Sequence, residues 1–218
     1  MHARATALAV LLALAIAPVP ARAAVDGGVA EFTASGTFTV PAKVTRVQLQ
    51  LWGGGGGGSG RRSGTLDSGT PEGMYNGNGG GGGGYTFMIL TGLTQDTVLG
   101  VNLGPGGPGG PREDMDGAVG GPTFVSIGEL RVALAGGGDG ATASGGAGAG
   151  GTGSIDPAHG SGYTLTGEAG TTGDYDSVGH GGAPPSDGLL PGDGRAHGGD
   201  GIGATGLSGT DGWALITW

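Results

Sequence analysis

Tyr75, Tyr163 and Tyr175 are the side chains of this sequence best suited to touching another molecule. They fall in stretches 61–78 and 154–177, where ordinary residues interrupt glycine-rich sequence. A tyrosine joins an apolar ring to a hydroxyl, and aromatics are enriched in the buried centres of interfaces. Loops held by a rigid scaffold commonly carry such contacts. The competing role is internal: each ring could fold back over neighbouring glycines, which have no side chains of their own. In both readings the chemistry is contact with a glycan, a protein surface or the chain itself, and not bond-making.

Other reactive residue types are present without a reactive spacing. His159, His180 and His197 are about twenty residues apart in glycine-rich loops. They would share a metal only if those loops stacked in register; otherwise they are exposed loop histidines. Asp139, Asp174, Asp176, Asp187, Asp193 and Asp200 make a structural calcium ion the one cofactor candidate, because calcium takes carboxylates from a shaped loop. The nonapeptide of calcium-binding β-rolls, however, never occurs in tandem. There is no cysteine, which removes thiolate catalysis, zinc–thiolate sites and disulfides. No Gly-x-Ser-x-Gly nucleophile elbow occurs. Lys43, the only lysine, follows Pro41 and Ala42 rather than a phosphate-cradling glycine loop. The expectation is a non-enzymatic protein without a bound cofactor.

Charge and the leader narrow the class further. With 18 acidic against 9 basic side chains the formal net charge is −9, and Arg61-Arg62 is the only adjacent basic pair. A phosphate backbone is bound by clustered Lys and Arg, so nucleic acid is not an expected partner. Residues 1–4 carry one positive charge, 5–17 are apolar apart from Thr6, and Ala21-Arg22-Ala23 is a small-x-small cleavage pattern. Residues 1–23 thus read as a signal peptide and 24–218 as a single domain. The alternative, a retained anchor, has an apolar stretch short of a bilayer's thickness. The expected location is secreted or on a bacterial cell surface, with no membrane span after cleavage.

The elements that must hold these residues begin with two runs of six glycines, 53–58 and 79–84. The first follows Arg46-Val47-Gln48-Leu49-Gln50-Leu51-Trp52, whose apolar residues alternate as in a half-buried strand. The second precedes 85–90, apolar on both faces and predicted to be a central, doubly covered strand. Further strand signals lie in 31–40 (around a turn at Ser35-Gly36), 97–103, 123–127, 130–135 and 213–218. That gives about seven strands and no segment of helical periodicity, an all-β core. Between the strands the spacing is three: Pro105, Pro108 and Pro111; Gly145, Gly148 and Gly151; Gly203, Gly206, Gly209 and Gly212. Three residues per turn belongs to the polyproline-II type of helix, which has no internal hydrogen bonds. An ordered glycine costs roughly 0.5–1 kcal/mol more than alanine. Only hydrogen bonds between helices, about 1 kcal/mol net each, can offset that. At least five tracts (53–60, 79–84, 104–110, 136–153 and 192–212) are available to stack as polyglycine-II helices. The alternative is disordered glycine loops over a β-sandwich.

The order of parts carries a resemblance. Phe38-Thr39-Val40-Pro41 leads into the strand ending Leu51-Trp52 before the first glycine run. Gly104-Pro105-Gly106-Gly107 follows a second strand, Ala133-Leu134-Ala135 runs into Gly136, and the sequence closes Gly212-Trp213-Ala214-Leu215-Ile216-Thr217-Trp218. Over about residues 30–218 this resembles the glycine-rich domain of phage tail-fibre and adhesin proteins and of bacterial surface and secreted proteins. It is also similar to the glycine-rich module of anaplastic-lymphoma-kinase-type receptors. The resemblance implies an antiparallel β-sandwich or jelly-roll-like scaffold from which polyglycine-II helices project, with no catalysis. In the phage adhesins, loops joining the glycine helices contact a host receptor. A signal peptide in place of a fibre-attachment domain favours a bacterial structural or adhesive surface or matrix protein. Two alternatives accompany it: a lectin-like or receptor-binding module whose tyrosine loops meet a cell-surface glycan or protein, and an ice- or interface-binding protein with a flat, threonine-decorated glycine face.

Overall fold

The computed structural model of the protein describes residues 27–64, 73–185, 195–202 and 204–218. The expected signal peptide, Asp187, Asp193 and Gly203 lie outside the described residues.

Strand formation follows the alternation in the sequence. In β3 (Arg46–Trp52), Val47, Leu49 and Leu51 are at most 1 % exposed, all on one face. The strand pairs with β6 (Tyr85–Thr91) from Arg46↔Thr91 to Trp52↔Tyr85, so the two glycine runs leave and enter the sheet side by side. On its other edge β3 pairs with β12 (Trp213–Thr217), which pairs with β1 (Val29–Phe32). The far edge of β6 takes β11 (Gly160–Leu165), giving the order β1-β12-β3-β6-β11. The second five-stranded sheet runs β10 (Gly153–Ile155), β9 (Leu130–Ala135), β8 (Thr123–Ile127), β7 (Val98–Asn102), β2 (Gly36–Thr39). Both sheets are antiparallel, and among the described residues there is no helix. One core joins them: Val47, Leu49, Leu51, Met88, Leu90 and Ile216 from the first sheet meet Phe38, Leu99, Val101, Val125 and Val132 from the second. A short hairpin, β4 (Arg62–Gly64) with β5 (Gly73–Tyr75), stands apart.

Several expectations need correction in detail. Twelve strands are present among the described residues, not about seven. The unread ones, β4, β5, β10 and β11, are short or contain glycine, and the apolar alternation that marks a strand is missing from them. The two halves of 31–40 do not pair about Ser35-Gly36. They separate into different sheets, β1 and β2, and the Ser35 hydroxyl accepts the Leu103 N–H at 2.9 Å instead. In β6, Met88 and Leu90 are fully buried while Phe87 and Ile89 are half-buried, so the outer face is only partly covered.

The remaining chain forms a second body of extended glycine-rich segments. Among the described residues there are ten: 53–60, 77–84, 104–110, 117–121, 136–141, 148–152, 167–173, 179–184, 196–201 and 206–212. The partners of 53–60 rotate with a period of three. The N–H groups of Gly53 and Gly56 donate to Gly84 and Gly81, those of Gly54 and Gly57 to Gly121 and Ala118, and those of Gly55 and Gly58 to Thr210 and Leu207, at 2.8–3.0 Å. Its carbonyls accept from three further segments: Gly54 from Gly138, Gly55 from Gly107, Gly56 from Gly199. Residues 53–60 therefore have six neighbours. Segment 77–84 repeats the arrangement: Gly79, Gly80 and Gly81 donate to Thr171, Gly199 and Asp139, while Gly77, Gly79 and Gly81 accept from Gly179, Gly148 and Gly56. The other eight segments bond laterally to one another and close a ring around these two centres.

This arrangement explains why the central runs are pure glycine while the ring is not. A Cβ on any residue from Gly53 to Gly58 would meet a neighbouring backbone carbonyl closer than 3.0 Å, a separation real Cβ atoms do not reach. In the ring, each segment has neighbours on two sides and water on another, so most of its side chains stand at exposed positions, while Ala141, Pro184 and Ala196 are enclosed. Burial in 104–110 reads buried, exposed, half-buried and repeats, with Pro105 and Pro108 at the exposed position.

Candidate binding surface at the end of the glycine bundle

The site follows from the chain path. Segments 53–60, 104–110, 136–141, 167–173 and 196–201 run away from the strands, and their partners return. The described residues of the connections at the far end are 61–64 and 73–76, 111–116, 142–147, 174–178, and 202 with 204–205. They hold one another: Asp114 N–H donates to the Arg61 carbonyl at 2.8 Å, Asn76 N–H to the Asp174 carbonyl at 3.0 Å, and Ala143 N–H to Asp116 Oδ1 at 2.8 Å.

A cleft of about 510 Å3 opens here, lined by Arg62, Ser63, Tyr75, Asp114, Asp116, Ala143 and Ser144. Opposed in β4 and β5, Arg62 and Tyr75 place the guanidinium 4.8 Å from the ring centroid, a cation–π contact. Arg62 Nε is buried and has no hydrogen-bond partner among the described residues. Across the cleft Asp114 accepts from the Ser63 N–H and hydroxyl, both at 2.9 Å. A cleft of similar size lies at the other end of β3, where Arg46 carries the only ionisable side chain among the described lining residues. Mixed charge, an aromatic ring and hydroxyls make the cleft at the bundle end the candidate binding surface.

Hydrogen bonds to the ionised form hold two tip carboxyls below the ordinary carboxylate range. For Asp114 the cause is Ser63, first its N–H and then its hydroxyl. For Asp174 it is the Ser177 side chain, then the N–H groups of Ser177 and Asp176. A depressed folded-state pKa contributes stability above the unfolded value, about 3.9 for aspartate, and that contribution disappears as pH falls through the lower folded value. Acidification below about pH 4 should therefore release 63 from 114 and loosen 174–177. Hydrogen exchange of these loops against pH reads this, and Asp114→Asn should flatten the profile at 61–64 and 112–116. An unchanged profile in that variant would remove Asp114 as the cause.

Of the tyrosines, Tyr75 and Tyr175 are at this end and Tyr163 is not. Tyr75 lines the cleft, and Tyr175, 65 % exposed, sits in the connection bonded to Asn76. Tyr163 is on β11, stacked on Phe87 with centroids 5.3 Å apart. It covers the outer face of the first sheet, the internal role open to each ring. The histidines do not converge: His159 lies 2.9 Å from Asp156 in the β10–β11 turn, and His180 lies 3.8 Å from Asp200 in the bundle. No group of three His, Cys, Asp or Glu that could hold a metal occurs among the described residues. Asp139 and Asp200 are outward positions of ring segments, while Asp174 and Asp176 share the Tyr175 connection. Trp52 and Trp213 are buried and Trp218 packs against the core, as their places at strand ends imply.

Sequence reasoning missed Arg62, Asp114 and Asp116. Each is an ordinary residue in a short interruption of glycine, and only the bundle brings 62, 114 and 143 together. The available signal was compositional, since interruptions between period-three tracts mark the ends of segments. A family model described as a glycine-rich domain matches residues 33–218. No curated protein matches the chain.

Proposed function

This chain belongs to the glycine-rich domain family, and from that premise we propose that it is a non-enzymatic, secreted structural or adhesive protein of a bacterial surface or matrix. Its extended segments act as polyglycine-II helices, and the bundle they form is a rigid, disulfide-free stem carrying the loops at its far end. One observation supports this above others: every peptide N–H from Gly53 to Gly58 and from Gly79 to Gly84 is bonded to a different segment of the chain. Glycine so held behaves as a packed solid, with net stabilisation of about 1 kcal/mol per bond set against its backbone entropy.

Native-state hydrogen exchange tests the stem. Amides of 53–58 and 79–84 should exchange as slowly as those of β3 and β6, by global opening. Exchange at the rate of an unfolded chain would leave only a sandwich with loose glycine loops.

A second reading is favoured by the cleft itself. A lectin-like contact would use Tyr75, Arg62 and Asp116 against a surface glycan, with Tyr175 at the rim. A glycan array comparing the wild-type chain with Tyr75→Ala/Tyr175→Ala tests it, with Tyr163→Ala expected to bind as the wild type does. No hits, or equal hits from all three proteins, removes this reading and leaves the stem intact.

A further inference from the structure

The chain contains two Asn-Gly dipeptides two residues apart, Asn76–Gly77 and Asn78–Gly79, at the mouth of the second central segment. Asn-Gly is the dipeptide most open to self-cyclisation, because glycine has no Cβ to hinder approach of its backbone nitrogen to the preceding side chain. The structure treats the two differently. Asn78 is 2 % exposed, and both ends of its amide are held: Nδ2 donates to the Thr142 carbonyl at 2.7 Å and Oδ1 accepts the Gly173 N–H at 3.0 Å. Its own N–H donates to Ser59 Oγ at 2.8 Å, and the Gly79 N–H, the would-be nucleophile, donates to Thr171 at 2.9 Å.

Asn76 is half-buried; its backbone N–H donates to the Asp174 carbonyl at 3.0 Å, and of its side-chain amide only Nδ2 is bonded among the described residues, to the carbonyls of Asp174 and Ser177 at 3.2 Å each. Among the described residues its Oδ1 accepts no hydrogen bond and the Gly77 N–H donates none. The nucleophile and the electrophilic carbonyl of this pair are thus both uncommitted.

We propose that Asn76–Gly77 is a self-modification site that converts spontaneously, while Asn78–Gly79 is protected by the fold. The Gly77 nitrogen attacks Asn76 Cγ; the new N–Cγ bond forms as the Cγ–Nδ2 bond breaks, and ammonia leaves carrying the proton lost from Gly77. Water then opens the succinimide at one carbonyl or the other, giving aspartate or isoaspartate at position 76. The sum is amide plus water to carboxylic acid plus ammonia, with no other reactant. The product matters to the loops around it. A carboxylate cannot donate to the Asp174 and Ser177 carbonyls, so conversion removes both side-chain bonds that tie 174–177 to the hairpin. It also places a negative charge beside Asp174. The connection carrying Tyr175 is loosened, keeping at this point only the backbone bond from the Asn76 N–H to the Asp174 carbonyl, an irreversible change in the surface at the bundle's end.

The purified chain is held in mildly alkaline buffer at growth temperature, folded or unfolded in urea, and peptide-mapped by mass spectrometry over time. In the folded chain Asn76 should convert and Asn78 should lag at least about tenfold, since Asn78 must first break its buried hydrogen bonds by local opening. In urea the two sites should convert within about twofold of each other, because only the fold distinguishes them. Asn78 keeping pace with Asn76 in the folded chain, or Asn76 remaining unconverted there, overturns the assignment. Asn76→Asp supplies the second readout: hydrogen exchange at 174–177 should rise several-fold while 53–58 is unaffected, and unchanged exchange would overturn the loosening of the loop.

Discussion

Gly56→Ala is expected to destabilise the protein by about 3 kcal/mol or more, the upper end of what a single added methyl does to a packed interior. The new Cβ would meet the Asp139 carbonyl and the Gly138 carbonyl. Neither can retreat cheaply. The Asp139 carbonyl accepts the Gly81 N–H at 2.9 Å, and the Asp139 N–H donates to Ala149 at 2.9 Å, so moving it breaks bonds to two further segments. Backbone is the least compliant neighbour a methyl can have. Alanine's lower unfolded-state entropy returns about 0.4–1 kcal/mol, too little to reverse the sign. For a chain of this size the melting point should fall by about 6–12 °C, at 2–4 °C per kcal/mol. The control is an outward position: Pro108 and Glu168 are exposed, and their replacement by alanine should stay within about 0.5 kcal/mol. A Gly56→Ala protein as stable as the Pro108→Ala one would mean that the central segment is not enclosed, and the stem would have no physical basis.

The same asymmetry shows what the sequence could and could not reveal. Two uninterrupted glycine runs beside apolar strands are the trace of residues enclosed on every side, and they are readable because no third position tolerates a side chain. Period three in 104–111 is readable for the complementary reason: proline marks the water-facing position. Segments 167–173 and 179–184 have one or two glycines per turn amid Thr171, Glu168 and His180, and their composition looks like loop. Their membership is set by registration against 77–84 and by long-range partners, Gly82 with Glu168 and Gly79 with Thr171. The tracts 136–153 and 192–212 look continuous, yet 136–153 holds two antiparallel passes, because nothing local marks the reversal at 142–147. Polar residues within the tracts were also opaque. Asp211, Ser208, Thr210, Thr171 and Asp200 accept the outward N–H groups of Gly106, Gly109, His197, His180 and Gly181, standing in for neighbours that the ring lacks. Such roles depend on which segment lies alongside. For that reason the all-β class and the sandwich core could be read, whereas the cleft of Arg62, Tyr75, Asp114 and Asp116 could not.

Trp52→Ala should match or exceed the glycine substitution, with a loss of about 3–5 kcal/mol, the usual cost of deleting a buried tryptophan. Trp52 is the last residue of β3 and precedes Gly53, so it sits where the sheet hands over to the bundle. It is fully buried between Tyr85 and Trp213, its register partners on either side, with ring centroids 4.8 Å from each. Ala196, at the start of segment 196–201, completes the cluster. Truncation leaves a cavity bordered by the sheet and by three bundle segments, those beginning or ending at 53, 84 and 196. Bundle amides near the strands should lose protection before the sandwich core does. Trp52→Phe separates ring burial from the indole polar group. The indole N–H is buried without an acceptor among the described residues, an arrangement that costs free energy in the native protein. Phenylalanine removes that orphan donor while keeping an aromatic ring between Tyr85 and Trp213, so its loss should be less than half that of alanine. Thermal melts of the two variants decide the matter. Equal losses would show that the joint depends on the full indole outline rather than on apolar burial, and intact protection at Gly53 and Gly84 in Trp52→Ala would show that sheet and bundle are stabilised independently.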